Sequence, residues 1–364
     1  MKLIAQVKLQ PTEQQTDALL RTLVAANQAA NLISDVAWET RQFRQFDLHH
    51  AGYYTIREQF KLSAQAAVRV ISKVADAYKL DRKTKRTFKP HGAIAYDARI
   101  LRWFVKERQV SIWTVEGRHI LPFVCGDDQA ALLQGQRGES DLVYRDGKFY
   151  LLAVCEIEEP PTQAVDDYLG VDMGIANIAV DSDSATYQGK TVKQVRYRHR
   201  KLRTKLQAKG THSTRRRLRK LSGKERRFAT WTNHNISRRI VEKAKDTQRG
   251  IALEDLGGIR DGVTVRKAQR STLHSWSFHQ LRGFIEYKAK RAGVPVIAVD
   301  PRNTSRTCPC CGCVDKANRR TQEKFLCIDC GYSGLADYVA SVNIRRRAVV
   351  NQPNVPTTDI EFRQ

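Results

Sequence analysis

Two short cysteine pairs near the C-terminal end constrain this chain more than any other feature. Six of its 8 cysteines fall between Cys308 and Cys330. Cys308-x2-Cys311 and Cys327-x2-Cys330 stand about fifteen residues apart, the spacing at which two thiolate knuckles close around one zinc ion. Cys310-x2-Cys313 is a second legal pairing. Glycine separates the two registers: Gly312 follows Cys311 as Gly331 follows Cys330, and a glycine just past the second thiolate lets the backbone turn tightly. The spacing therefore selects Cys308, Cys311, Cys327 and Cys330 as ligands and leaves Cys310 and Cys313 as bystanders. No secretory leader is read at the N-terminus, so metal-bound thiolates are expected rather than disulfides.

A zinc staple says nothing about partners, but charge does. With 63 Lys+Arg against 38 Asp+Glu the net charge is +25, which points to a polyanion, and nucleic acid leads. An anionic membrane is disfavoured because the basic excess is spread along the chain rather than gathered on one amphipathic helix. No apolar run approaches the ~20 residues needed to cross a bilayer, so a soluble, cytoplasmic and nucleoid-associated protein is expected. At 364 residues the chain can hold two domains, or one with an insert.

The N-terminal half reads as a small barrel interrupted by helices. Residues 2–10 alternate as a strand that Pro11 ends. Thr12 and Gln15 make a capping box ahead of a long helix with Leu19, Leu23, Ala30 and Ile33 on one face. A second helix is read across 63–80, and the segment between, YYTIREQF at 53–60, is polar and mixed. From Ile100 the period becomes two, with strands at 110–115, 119–124 and 141–157 and a hairpin turn at Asp146-Gly147. Residues 158–162 read as a linker.

The second half alternates strands and helices, the mark of a mixed α/β sheet. Strands are read at 168–183, 250–258 and 294–300, and a helix at 276–291. Asp172 sits inside an apolar strand between Gly170 and Gly174, and Glu254 ends another. An acid in such a setting is costly without a cation or hydrogen bonds. Asp337 opens the last helix. Between the first two strands, residues 197–245 are helical and densely basic, with Leu202, Leu206, Leu218, Leu221, Ile236 and Ile240 as a packing side. Arg198, Arg200, Lys201, Arg203, Arg215, Arg216, Arg217, Arg219, Lys220, Arg226 and Arg227 are the candidate nucleic-acid contacts.

The order GVDMGIANIAV, ALEDL, CPCCG…CIDCG and LADYVASVNI resembles the TnpB family, transposon-encoded RNA-guided DNA nucleases related to type V CRISPR effectors. The resemblance runs over most of the chain. It implies a RuvC-like, RNase H-type nuclease domain (165–305 and 333–347) with a zinc-binding target-loading insert (306–332). It further implies a wedge-type β-barrel (1–10 and 86–160), an inserted helical recognition domain (11–85) and a disordered tail (348–364). By that resemblance Asp172, Glu254 and Asp337 would hold two Mg²⁺ ions about 4 Å apart for phosphodiester hydrolysis. The partners would be a guide RNA from the same transposon and double-stranded DNA, cut beside a short motif that the protein reads, with one protein chain per RNA. Two places depart from the family text: Val339 and Ser341 replace an asparagine and an alanine after the last acid, and Arg302 and Asn303 stand where an aromatic is common. The competing classes are a nuclease-silent RNA-guided repressor, a transposase with an RNase H-like fold, and a zinc-finger transcription factor, which leaves the sheet and its acids unexplained.

Overall fold

A computed structural model describes residues 1–174, 177–255, 278–321 and 323–350. The chain forms two compact units, Met1–Glu158 and Glu159–Gln364. Residues 175–176, 256–258, 276–277 and the tail from 351, which fall within segments read above, lie outside the described residues.

The first unit runs β1 (Lys2–Leu9), α1 (Glu13–Thr40), α2 (Gln45–Gln59), α3 (Ala64–Leu80), β2 (Ile94–Tyr96), β3 (Leu101–Phe104), β4 (Gln109–Thr114), β5 (Gly117–Val124), α4 (Asp127–Leu133), β6 (Gln136–Arg145) and β7 (Lys148–Glu156). Its seven strands form one sheet in the order β2-β6-β7-β1-β5-β4-β3, with every neighbouring pair antiparallel. The sheet curls into a nearly closed barrel, and the Tyr96 hydroxyl on β2 donates to the Trp113 carbonyl on β4 at 3.1 Å. Asp146 and Gly147 both adopt positive φ, 51° and 75°, as a tight hairpin between twisted strands requires. Thr12 caps α1 in a full capping box with Gln15.

One segment corrects the sequence reading. Residues 53–60, read as polar and mixed, belong almost entirely to α2. Only Leu48, Gly52 and Ile56 of that helix are buried, a stripe of one residue per turn that gives little periodic signal. Gly52 is required for it: a Cβ there would lie 2.2 Å from Ile33 Cδ1 on α1.

The second unit runs β8 (Tyr168–Asp172), β9 (Asn177–Asp181), β10 (Thr186–Gln188), α5 (Lys190–Lys209), α6 (His212–Asp246), β11 (Gly250–Glu254), α7 (Phe278–Ala292), β12 (Val296–Val299), β13 (Lys324–Leu326), β14 (Ser333–Leu335) and α8 (Ala336–Val350). The sheet order is β10-β9-β8-β11-β12. β9 is antiparallel to both β10 and β8, while β8, β11 and β12 run parallel. The basic stretch forms two helices, with Gly210 at a left-handed φ of 65° between α5 and α6.

Strand alternation decides what covers each face. Leu169, Val171, Ile251 and Leu253 pack with Ile236, Ile240, Leu281 and Ile285 of α6 and α7. Tyr168 and Ala252 face the other way, against Ile344 and Ala348 of α8. By the same alternation Asp172 and Glu254 belong to the α8 side.

Candidate active site and metal centre

Asp172 and Glu254 end two adjacent parallel strands. The register pairs Leu253 with Val171, so the acids that follow are neighbours at the carboxyl edge of the sheet, where parallel α/β sheets place their ligands. Asp337 arrives from the first turn of α8, where the helix dipole favours a carboxylate. Gly170 is what brings that helix close. A Cβ on Gly170 would stand 2.1 Å from the Ser341 carbonyl oxygen and 2.6 Å from the Arg345 nitrogen, so the helix backbone lies directly on β8 two residues before Asp172. Arg345 then clamps Asp167 with two bonds of 2.8 and 2.6 Å.

The three acids share one electrostatic environment. Burial, then the charge of Glu254, then that of Asp337 push the Asp172 carboxyl up to about 8. Burial also raises Glu254, partly offset by the Thr304 hydroxyl. Asn177 Nδ2 donates to Asp337 Oδ2 at 3.0 Å, and Thr304 Oγ1 to Glu254 Oε1 at 2.5 Å. The three carboxylates do not all come within 4.8 Å of one another, as the four thiolates do.

Asp181, fully buried in this sheet where the three acids are half-buried, shows what a structural acid looks like. It accepts from the Asp183 and Ala185 amides at 3.0 and 2.9 Å and from Lys243 Nζ at 2.8 Å. Asp183 beside it is held well below the usual carboxylate range by Arg249 and Lys243. Asp172 has no counter-charge of that kind in contact among the described residues; Arg319 acts on it at longer range.

Arg319 is a site residue that the sequence did not reveal. It lies 3.8 Å from Asp337 Oδ1 and its charge also reaches Asp172 and Glu254. Its aim is set by Asn318, which is fully buried. The Asn318 amide donates to the Arg306 and Cys313 carbonyls, 3.0 and 3.1 Å, and its oxygen accepts from the Ile328 amide at 2.9 Å. No local pattern marks an arginine in a loop as part of an acid cluster.

The four selected cysteines converge. Cys308 Sγ is 3.6 Å from Cys330 Sγ and Cys311 Sγ is 3.5 Å from Cys327 Sγ, and all four sulfurs lie within 4.8 Å of one another. Sulfurs about 2.3 Å from a tetrahedral zinc would be roughly 3.8 Å apart, so the donor set fits that ion. The two knuckles are built alike: Gly312 and Gly331 have φ of 77° and 72°, and their amides donate to the Cys308 and Cys327 carbonyls at 3.1 and 3.2 Å. Cys310 and Cys313 stay outside the cluster.

The departures from the family text have local reasons. Val339 is fully buried among Cys308, Phe325, Cys327 and Ala336, where an asparagine would be left unpaired. Ser341 is buried against β8 and donates to the Tyr338 carbonyl at 2.8 Å. Asn303 has φ of 60°, a conformation that asparagine adopts more readily than an aromatic. Nothing in the structure explains Arg302.

All eleven cationic side chains singled out on α5 and α6 are exposed, while Leu206, Leu221, Ile236 and Ile240 are buried. Arg203 is partly committed. Together with His199 it meets Glu225 at 3.1 and 3.5 Å, joining the two helices. Another surface passed unnoticed in the sequence: Phe46 and Tyr54 on α2 are 71% and 79% exposed, beside a stacked His49–Tyr53 pair.

With this geometry in place, comparison with known proteins is informative. Residues 153–256 match the family model described as a probable transposase, OrfB of IS605, and residues 278–344 match the Cas12f1-like TNB domain. A TnpB-like protein of Methanocaldococcus jannaschii is 36% identical over 132 residues, 36% of this chain and 47% of that protein. The chain is similar to TnpB-family proteins. Among its Cas12f relatives, the CRISPR-associated endodeoxyribonuclease Cas12f1 of Sulfoacidibacillus thermotolerans is 34% identical over 219 residues, 55% of this chain and 50% of that protein. The chain thus spans about half the length of the curated relatives it matches. The Cas12f1–sgRNA–target DNA complex shares the fold, with a TM-score of 0.57 at 15% identity over 91% of this chain and 83% of that one. Among the described residues no helix is long and apolar enough to cross a membrane.

Proposed function

We propose that this TnpB-like protein is an RNA-guided DNA endonuclease whose RuvC-like nuclease centre is Asp172, Glu254 and Asp337. One observation carries the reading: acids from two adjacent parallel strand ends and a helix first turn lie on one sheet face, and burial together with the charges of Glu254 and Asp337 raises the Asp172 carboxyl to about 8. Three carboxylates on one sheet face, with no counter-charge in contact with Asp172 among the described residues, suit hard divalent cations with oxygen ligands. Two Mg²⁺ ions there would supply an activated water and stabilise the leaving oxygen. Asn177 and Thr304 orient Asp337 and Glu254, and Arg319 presents a guanidinium to the same space, suited to a phosphate oxygen. The strand order, three antiparallel strands followed by two parallel ones, supports the RNase H-type assignment.

The zinc-bearing segment, 306–332, delivers Arg319 and leads into Asp337, which supports a target-loading role. In the first unit, α1, α2 and α3 lie between β1 and the remaining strands; this supports a barrel of 1–10 and 86–160 with a recognition insert at 11–85. The exposed cations of α5 and α6 would follow a guide and heteroduplex by backbone contact, with base pairing supplying sequence specificity and the protein reading a short adjacent motif.

The test is Asp172→Ala in protein purified with RNA from its own locus. Cleavage of matched duplex DNA in Mg²⁺ should disappear while RNA retention is unchanged. Undiminished cutting would overturn the assignment.

A further inference from the structure

The junction between the thiolate segment and the acids contains a hydrogen-bond chain that neither cluster accounts for. Thr304, only 3% exposed, directs its hydroxyl to Glu254 at 2.5 Å, with the Pro301 carbonyl at 3.1 Å as its other neighbour. Its backbone is fixed from α8. Asn343, 4% exposed, donates from Nδ2 to the Thr304 and Thr307 carbonyls at 2.8 and 2.7 Å. The next residue, Cys308, is the first thiolate. The Asn303 carbonyl accepts from the Arg306 and Thr307 amides at 2.9 and 3.0 Å, closing the turn that holds Thr304. The helix whose first turn presents Asp337 therefore also holds, near its middle, the loop that orients Glu254.

We propose that Thr304 is a positioning residue for Glu254, locked by Asn343, and that this pair sets the divalent-cation affinity of the acid cluster. The proposal rests on reading those acids as a divalent-cation site. A hydroxyl carries one hydrogen. Given to the ionised Glu254, it fixes one carboxylate oxygen and leaves the other free for a cation. Without it, a glutamate at a strand end regains its rotamers, and ordering them again weakens binding. Outer partners of ligating carboxylates typically control metal affinity by about 10–100-fold.

The test measures Mn²⁺ binding to the full-length protein by electron paramagnetic resonance of the free ion, for wild type, Thr304→Val, Thr304→Ser, Glu254→Gln and the Glu254→Gln/Thr304→Val double variant. Valine keeps the shape and removes the donor, whereas serine keeps the donor. Thr304→Val should bind about 10-fold or more weakly, Thr304→Ser should restore wild-type affinity, and valine should have no further effect in the Glu254→Gln background. An unchanged affinity in Thr304→Val, or an equal loss in both backgrounds as general damage to the fold would produce, overturns the proposal. Asp172→Ala separates the two levels of inference. If that variant binds Mn²⁺ as wild type does, the acid-site reading itself fails. If it loses Mn²⁺ while Thr304→Val does not, only the role of Thr304 fails.

Discussion

The second unit contains two clusters of candidate ligands built by opposite means. The thiolate cluster comes from two short knuckles of the same design, so its geometry is local and its four sulfurs close to within 4.8 Å. The acid cluster draws one carboxylate each from β8, β11 and α8, 165 positions apart at the extremes, Asp172 to Asp337. Its carboxylates stay farther apart, and burial together with the charges of Glu254 and Asp337 raises the proton affinity of Asp172. A local cluster needs only its own turns to be correct. A distributed one depends on every packing contact between its carriers, which is why Gly170, Thr304, Asn343 and Arg345 matter as much around the acids as the acids themselves.

Breaking the local cluster should have the largest effect. Structural zinc is worth about 10–16 kcal/mol to small zinc-finger peptides, and this segment has little other core than Phe325, Ala336 and Val339. Cys327→Ser should release zinc, read by a chromogenic chelator. It should also open residues 306–335 to protease and abolish DNA cleavage, because Arg319 and the approach to Asp337 lose their support. Retained zinc and activity would mean that three thiolates suffice.

Gly170→Val attacks the distributed cluster without touching an acid. Two atoms of the α8 backbone occupy the space of the new side chain, and overpacking of this kind costs about 1–3 kcal/mol. A lowered melting temperature together with weakened Mn²⁺ binding is expected. Weakened binding at unchanged stability would show that the helix shifts rather than detaches.

The raised Asp172 carboxyl gives a pH signature of definite sign. A folded-state value near 8, against about 3.9 in an unfolded chain, means that the folded protein holds a proton that the unfolded chain has released. The associated stability is complete below about pH 4 and declines as pH rises towards 8. In cation-free protein this contribution to the melting temperature should fall over that window, and Mg²⁺ should restore it most strongly at the alkaline end, where no proton has to leave. A Mg²⁺ effect of constant size across pH 5–9 would contradict the shared-field description.

The smallest effect tests the thiol register. Cys310 is exposed and outside the sulfur cluster, so Cys310→Ser should leave one zinc per chain and change stability by less than about 0.5 kcal/mol. Loss of zinc from this variant would shift the ligand set to the alternative pairing.

The same contrast explains what the sequence disclosed. Cysteine spacing and the following glycines are local, and so were the strand of Asp172, the capping box at Thr12 and the hairpin at Asp146-Gly147. The acids could be named because a carboxylate in an apolar strand is conspicuous, but their meeting depends on strand order, which no local pattern encodes. Arg319 was missed because its position is fixed by Asn318 through contacts to residues 306, 313 and 328. Helix α2 was missed because its buried stripe is one residue wide and its exposed face is aromatic. Conversely, Arg203 was grouped with free cations although Glu225, on the neighbouring helix, partly occupies it.

The order of the strands also has a temporal consequence. Chains are made from the N-terminus and fold as units emerge, so β8 with Asp172 waits through α5 and α6 for β11, and both wait for α8. A polypeptide released by the ribosome before residue 337 would already display the arginine-covered hairpin yet lack the third acid. Under the proposed function, premature termination would leave a product that keeps the basic helices but lacks a complete acid centre, and such fragments would compete with the finished protein for RNA.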